Sequence, residues 1–498
     1  MNVNPITRLD YPDPDVIRVE DTYYMVSTTM HFMPGCEILQ SFDLVHWEHA
    51  TYVYETLDHT DAQQLKSGQN IYGQGMWAAS LRYHEGRFYI CFVANDTRKT
   101  YLYTSEKIDG PWKKQLIEGF YHDGSLLFDE DGRNYIVYGN DEIWITELNE
   151  DLTAPKKDGL HRLLVSDHKN PELGYEGSHI QKINGYYYIF LVHSLRDRWM
   201  RTEACFYSDS LEGEFTGGDV LCDDRGYCGQ GVAQGGIVDT PDGKWYAMLF
   251  QDSGAVGRIP ILVPVTWKDH FPVFGQNGHV PEEIEVHSTR PGYIYQPLVG
   301  SDDFCNGLLP RWQFNHDPDP RYYHLDALQG TFTITTREVC TELTQAVNTL
   351  TQRMSYPSCA AEVTVDASAL KEGDVAGLCA FQGCYAAVGI TKHHGKYEVL
   401  MLDKKEDGIL DMTEGTVVES HQMDFRLEAD FCNMKDEARC YYRVNNGDWL
   451  PIGTVHKLYF KLDHFTGCRF GLFCYAAEET GGSACFRDFK YYDVDEIS

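Results

Sequence analysis

Through the first 300 residues, short apolar and aromatic runs alternate with polar pairs in a pattern that recurs five times, the mark of a β-repeat rather than of helices. The runs Tyr23 to Val26, Phe88 to Phe92, Asn134 to Tyr138, Tyr186 to Leu191 and Trp245 to Leu249 each follow a turn pair. Those pairs are Glu20-Asp21, Glu85-Gly86, Asp131-Gly132, Asn184-Gly185 and Asp242-Gly243, residue types that accommodate the positive φ of tight hairpins. A tyrosine stands three residues after every pair: Tyr24, Tyr89, Tyr135, Tyr188 and Tyr246. A third strand-like run follows each hairpin, at Cys36 to Gln40, Tyr101 to Thr104, Ile143 to Glu147, Arg201 to Tyr207 and Ile259 to Val265. The pattern predicts an all-β chain whose residues 1–295 form a five-bladed β-propeller. A sandwich of similar hairpins has no reason to keep the aromatic at one offset.

From about Ser301 the repeat stops and strands alternate irregularly, at Thr331 to Thr335, Ala361 to Val365, Ala386 to Ile390, Tyr397 to Leu402, Cys440 to Val444 and Arg469 to Tyr475. Asn446-Gly447 is a strong hairpin signal between two of them. Residues 301–498 are expected to form a β-sandwich of jelly-roll, concanavalin-like type, joined through Ser288 to Gly300 with its prolines and glycines.

Charge narrows the partners. With 75 acidic and 42 basic residues, the net charge is -33, which disfavours nucleic acid and anionic lipid but is indifferent to a neutral polysaccharide. The 15 cysteines show no Cys-x-x-Cys pair and read as reduced core thiols. No segment reads as a membrane span and Met1 to Asp15 does not resemble a signal peptide, so a cytoplasmic location is expected. Whether the chain forms a homo-oligomer stays open.

Propeller geometry locates the chemistry, because residues at one fixed distance before each repeat tyrosine should surround the channel at similar depth. Counting back 12 residues from the last four tyrosines, and 11 from Tyr24, reaches Trp77, Asp123, Glu176, Gln234 and Asp13. Three acids on an inner ring are costly to desolvate, and their mutual repulsion raises at least one pKa. One protonated and one ionised carboxyl are the requirement of glycosidic cleavage. Trp77 and Phe32 offer flat faces for a sugar, and Gln234 and Arg258 offer hydrogen bonds to its hydroxyls. His31, His122 and His179 lack metal-ligand spacing, so no metal site is expected.

The segments Asp10-Tyr11-Pro12-Asp13-Pro14-Asp15, Phe32-Met33-Pro34-Gly35, Gly75-Met76-Trp77-Ala78, His122-Asp123-Gly124-Ser125, Tyr175-Glu176-Gly177-Ser178-His179 and Gln234-Gly235-Gly236 resemble glycoside hydrolase family 43, in its β-xylosidase and α-L-arabinofuranosidase branch. Leu350-Thr351-Gln352-Arg353 extends the resemblance into the jelly-roll domain of those enzymes. It implies Asp13 as general base, Glu176 as general acid, Asp123 as the carboxylate that orients and tunes the acid, and Arg258 as a substrate-binding residue. Many relatives carry histidine where Gln234 stands, and that histidine can help hold a central calcium through water; no cofactor is expected to be required here, and a structural calcium is an alternative that Gln234 puts in doubt.

The function expected is that of an inverting, exo-acting glycoside hydrolase releasing pentose from xylan-derived oligosaccharides, foremost a β-D-xylosidase. The alternatives are an α-L-arabinofuranosidase acting on arabinoxylan fragments, a bifunctional enzyme, or a non-catalytic carbohydrate-binding protein.

Overall fold

A computed structural model describes residues 3–413, 415–461 and 464–493. Five four-stranded antiparallel sheets follow one another along the chain. Their innermost strands are Asp15–Val19, Met76–His84, Ser125–Phe128, Glu176–Ile183 and Ile237–Asp239, and the sheets are blades I to V of a propeller. Every expected second strand is present, at Thr22–Val26, Arg87–Ala94, Asn134–Asn140, Tyr186–Ser194 and Trp245–Asp252.

Packing between blades explains the fixed tyrosine. Tyr24 meets Phe88 of blade II edge-on at 5.6 Å, Tyr89 meets Phe128 of blade III at 4.6 Å, and Tyr188 meets Trp267 of blade V at 5.3 Å. The position reaches across a seam each time, and aromatic pairs at these distances favour tilted and edge-on geometry. Each seam holds its own apolar cluster. Val26, Ile38 and Phe92 lie between blades I and II, Leu102 and Ile136 between II and III, Val137 and Ile189 between III and IV, and Phe190 and Leu249 between IV and V.

The ring closes through the first residues of the chain. Asn4 pairs with the backbone of Leu262 in both directions, at 2.8 and 2.9 Å, and the Tyr11 N–H donates to the Arg258 carbonyl at 2.9 Å. Residues 4–11 thus run along blade V before the chain enters blade I. Val16, Tyr23, Val238 and Met248 fill the closing seam.

A seven-stranded sheet and a nine-stranded sheet, whose outermost strand is Phe32–Met33 of blade I, pack as a sandwich around Leu378, Val388, Phe425 and Phe470. Asn446-Gly447 does form a hairpin, but its second strand, Leu450–Lys457, gives no apolar pattern. It is an exposed edge strand carrying Gly453 and Pro451, the latter a residue confined to sheet edges because it cannot donate to the ladder. The connecting segment is strapped to blade I: Thr289 N–H donates to Phe42 O at 2.7 Å and Arg290 pairs with Asp21 at 2.8 Å. Most of the 15 unpaired cysteines are buried, but Cys222, Cys228, Cys305 and Cys432 are exposed, which corrects their reading as core thiols. Among the described residues no helix is long and apolar enough to cross a membrane.

The two parts interlock. Phe32–Met33 of blade I pairs with Gln313–Asn315 and so forms the edge strand of the nine-stranded sheet. Arg353 of the sandwich bonds Glu37 at 2.8 Å and the Asp10 carbonyl at 2.8 Å, and lies over the Tyr11 ring. The buried Asp10 carboxylate accepts from Arg258 N–H at 2.7 Å in the propeller and from Gly467 N–H at 2.8 Å in the sandwich. Replacing Asp10 by alanine strands two buried N–H groups at this junction. Asp10→Ala is expected to lose about 2–5 kcal/mol in urea-induced unfolding, with a parallel fall in activity as Arg258 is released.

Candidate active site

The five inner strands end around a pocket of about 230 Å³ lined by Asp13, Trp77, Asp123, Glu176, Gln234, Arg258 and six further propeller residues, with Phe465 from the sandwich. All five members of the ring expected from the repeat reach it. Their backbone differs from the expectation, because Asp13, Asp123 and Gln234 precede the inner strands and adopt φ of 52°, 48° and 65°. Left-handed backbone is costly for non-glycine residues and collects at functional positions; here it sits where strand pairing stops.

Asp13 is held from both sides. One oxygen accepts from Arg258 Nη1 at 2.6 Å and the other from Thr28 Oγ1 at 2.6 Å. The Pro12 carbonyl before it is pinned by the Ser27 hydroxyl and the Thr28 N–H. Asp123 accepts from the Gly177 N–H at 3.0 Å, which ties it to the residue after Glu176. Glu176 accepts from Asn140 Nδ2 at 2.9 Å. Between the two acids stands His122, whose Nε2 lies 3.5 Å from an oxygen of each.

Burial pushes the Asp123 carboxyl up to about 6; the His122 charge opposes the shift, while Glu176 and Asp13 reinforce it. Burial alone would raise Glu176 too, but His122, Arg201 and Arg258 hold it below its ordinary value. Burial disfavours the His122 cation, yet Asp123, Glu176 and Asp13 carry it up to about 9. The second arginine, Arg201, is bonded to Asp252, which also faces Arg258 at 3.3 Å. Burial and Arg258 bring the Arg201 guanidinium down to about 9. Below Gln234, burial keeps Glu203 well above the carboxylate range although it accepts the Gln234 N–H at 2.7 Å.

Aromatic walls complete the pocket. Trp77 meets Phe465 at 5.4 Å and 73°, and the Arg258 guanidinium lies 4.0 Å from the Phe465 ring. Phe32, expected beside the sugar, is absent from the lining. It is buried at the domain junction with the Arg469 guanidinium 3.5 Å above it, because its strand pairs with the sandwich. Sequence reasoning passed over His122 as a site residue and missed Asn140, Leu173, Trp199, Arg201 and Phe465. Arg201 opens the third strand of blade IV, as Arg258 opens that of blade V, and this shared register was the available signal. Phe465 had none, since its place depends on docking.

The sequence profile described as Glycosyl hydrolases family 43 matches residues 3–272, more than half of the chain. The chain belongs to this family. A second profile, the β-xylosidase C-terminal concanavalin A-like domain, matches residues 301–492. The family 43 enzyme is similar to a β-xylosidase of Formosa agariphila, 26% identical over 99% of this chain and 89% of that protein. It is similar to a xylosidase/arabinosidase of Butyrivibrio fibrisolvens, 24% identical over 99% of both. Among solved structures it superimposes on a bifunctional GH43-CE protein of Bacteroides eggerthii with a TM-score of 0.92 at 42% identity, covering all of this chain. It spans only 64% of that longer chain.

Family resemblance implies a calcium ion at the propeller centre, and the residues there do not fit one. Arg82 of blade II projects into the centre, bonding Asp15 at 2.8 Å, Ser125 Oγ at 2.6 Å and the carbonyls of Leu126 and Ile180. The other Asp15 oxygen takes His179 Nδ1 at 3.1 Å, and Arg82 and His179 hold the buried carboxyl down to about 2 against desolvation. A cation is thus already built in.

In this family 43 site one glycine couples the acids to the floor. Gly177 has φ 65°, and a Cβ there would stand 2.7 Å from Gln234 Cγ. Gly177→Ala is expected to cost about 1–2 kcal/mol for the left-handed backbone alone. It should displace Glu176 and Gln234 together, so that kcat falls at least tenfold while the melting temperature drops only a few degrees.

Proposed function

We propose that this family 43 enzyme releases single pentose units from the ends of xylan-derived oligosaccharides with inversion, acting as a β-D-xylosidase. The observation that carries this reading is the pocket itself: about 230 Å³, below the ~300–1,000 Å³ of sites for drug-sized ligands, with the sandwich residue Phe465 as one wall. Such a space suits one sugar ring at the chain end. Asp13, fixed by Arg258 and Thr28, serves as the base that takes a proton from the attacking water. Glu176 protonates the leaving oxygen from the opposite face, and Asp123 holds the Gly177 backbone beside the acid and repels its charge. Substrate expels the water around Glu176, and that further desolvation favours its protonated form. Arg201, Arg258 and Gln234 bind hydroxyls, and Trp77 packs on the ring.

The Butyrivibrio relative carries both activity names, which favours α-L-arabinofuranosidase as a second activity. Unpaired cysteines, some of them exposed, support a reducing compartment such as the cytoplasm.

Proton NMR of the first sugar released from the p-nitrophenyl β-D-xyloside and α-L-arabinofuranoside checks both points. The opposite anomer is expected, with faster turnover of the xyloside; initial retention would overturn the mechanism. Asp13→Ala and Glu176→Ala should each lower kcat by about 10²–10⁴.

We also propose that the enzyme needs no central calcium, since the Arg82 guanidinium already supplies a positive charge to Asp15. Chelator treatment followed by calcium titration should leave the melting temperature and kcat unchanged. A rise of several degrees on calcium addition would refute this.

A further inference from the structure

The His122 ring is placed by backbone rather than by chance. Its carbonyl accepts the Gly139 N–H at 3.0 Å, its ring lies 6.0 Å from that of Trp77 at 64°, and its Nε2 is equidistant from Asp123 and Glu176. The groups facing it come from every neighbouring blade. They are Asp13 from blade I, Trp77 from blade II, Asn140 from blade III and Glu176 from blade IV, with Asp123 on its own loop; Arg201 and Arg258 act on Glu176 from across the pocket.

We propose that His122 is a positioning residue whose imidazolium, seated between the two acids, sets how readily Glu176 gives up its proton to a leaving group. This rests on Glu176 being the general acid. A donor that loses its proton becomes a carboxylate, and a cation 3.5 Å away stabilises that product. The same cation lowers the affinity of Glu176 for its proton, typically by about 1–3 pH units for an opposite charge this close. Carried up to about 9 by its acidic neighbours, His122 stays charged throughout the neutral range. Asn140 fixes the remaining direction of the acid by donating to the same oxygen, Oε2, that faces His122.

The sign of the effect follows. Removing the charge makes Glu176 a weaker acid that keeps its proton to higher pH. His122→Gln should therefore move the alkaline limb of kcat/KM upward by about one pH unit. It should also lower kcat about tenfold more on xylobiose, whose leaving group needs the proton, than on p-nitrophenyl β-D-xyloside, whose leaving group does not. A merely structural role would lower both rates together and leave the limb in place. An unmoved limb in a variant with wild-type melting temperature overturns the proposal. Should the variant fail to fold, NMR titration of the His122 ring decides: it should lose its proton near pH 9 in wild type and at least one unit lower in Glu176→Gln, and equal values overturn the proposal. Glu176→Gln also separates the two readings. If it still hydrolyses xylobiose, the acid assignment fails; if it is inactive while His122→Gln leaves the limb unmoved, only the role of His122 fails.

Discussion

Asp13, Asp123 and Glu176 are drawn out of water where five inner strands end, and a buried carboxylate without a partner costs several kcal/mol or sheds its charge. The protein answers each one with a fixed cation or donor. Arg258 faces Asp13, His122 stands between Asp123 and Glu176, and Arg201 acts on Glu176 from across the pocket. One step further along the blade I strand, Arg82 and His179 do the same for Asp15. Charges of opposite sign therefore alternate from the mouth of the channel to its centre. The strained backbone at Asp13, Asp123 and Gln234 is tolerable because these pairings over-determine it.

That compensation reaches into the second domain. Arg258 is fixed at its backbone by Asp10 and at its guanidinium by Asp13. Asp10 in turn is held by Gly467, two residues from Phe465. The sandwich thus helps set the arginine that orients the proposed base, and supplies the ring against which that arginine packs. The apolar core follows the same route, since Ala255, Val256 and Ile259 of the propeller belong to the cluster that fills the sandwich. Neither part has a complete site without the other.

What could be read from the sequence follows the range of the interactions involved. The repeat tyrosine and the ring of Asp13, Trp77, Asp123, Glu176 and Gln234 were legible because each is set by register within one hairpin, and hairpin register is local. Phe32 was misplaced because its strand leaves blade I to pair with Gln313–Asn315, almost 300 residues away in the chain. Phe465 and Arg201 were missed for a related reason: docking and a third-strand register place them, and neither leaves a motif. His122 was visible but was judged by metal-ligand spacing, whereas its meaning lies in facing both its chain neighbour Asp123 and Glu176, which blade IV brings to it.

The overall charge of -33 and the nearly balanced pocket are two answers to one demand. A neutral sugar gains nothing from a long-range field, so the surface is free to be anionic, whereas the pocket must hold protons on chosen oxygens and cannot carry unopposed charge. The Arg82–Asp15 clamp lies at the propeller centre and Phe465 walls the side of the pocket. A single guanidinium from blade II thus ties the inner strands of blades I, III and IV together at the centre, where a charge-balanced interior is the condition for burying Asp15 at all.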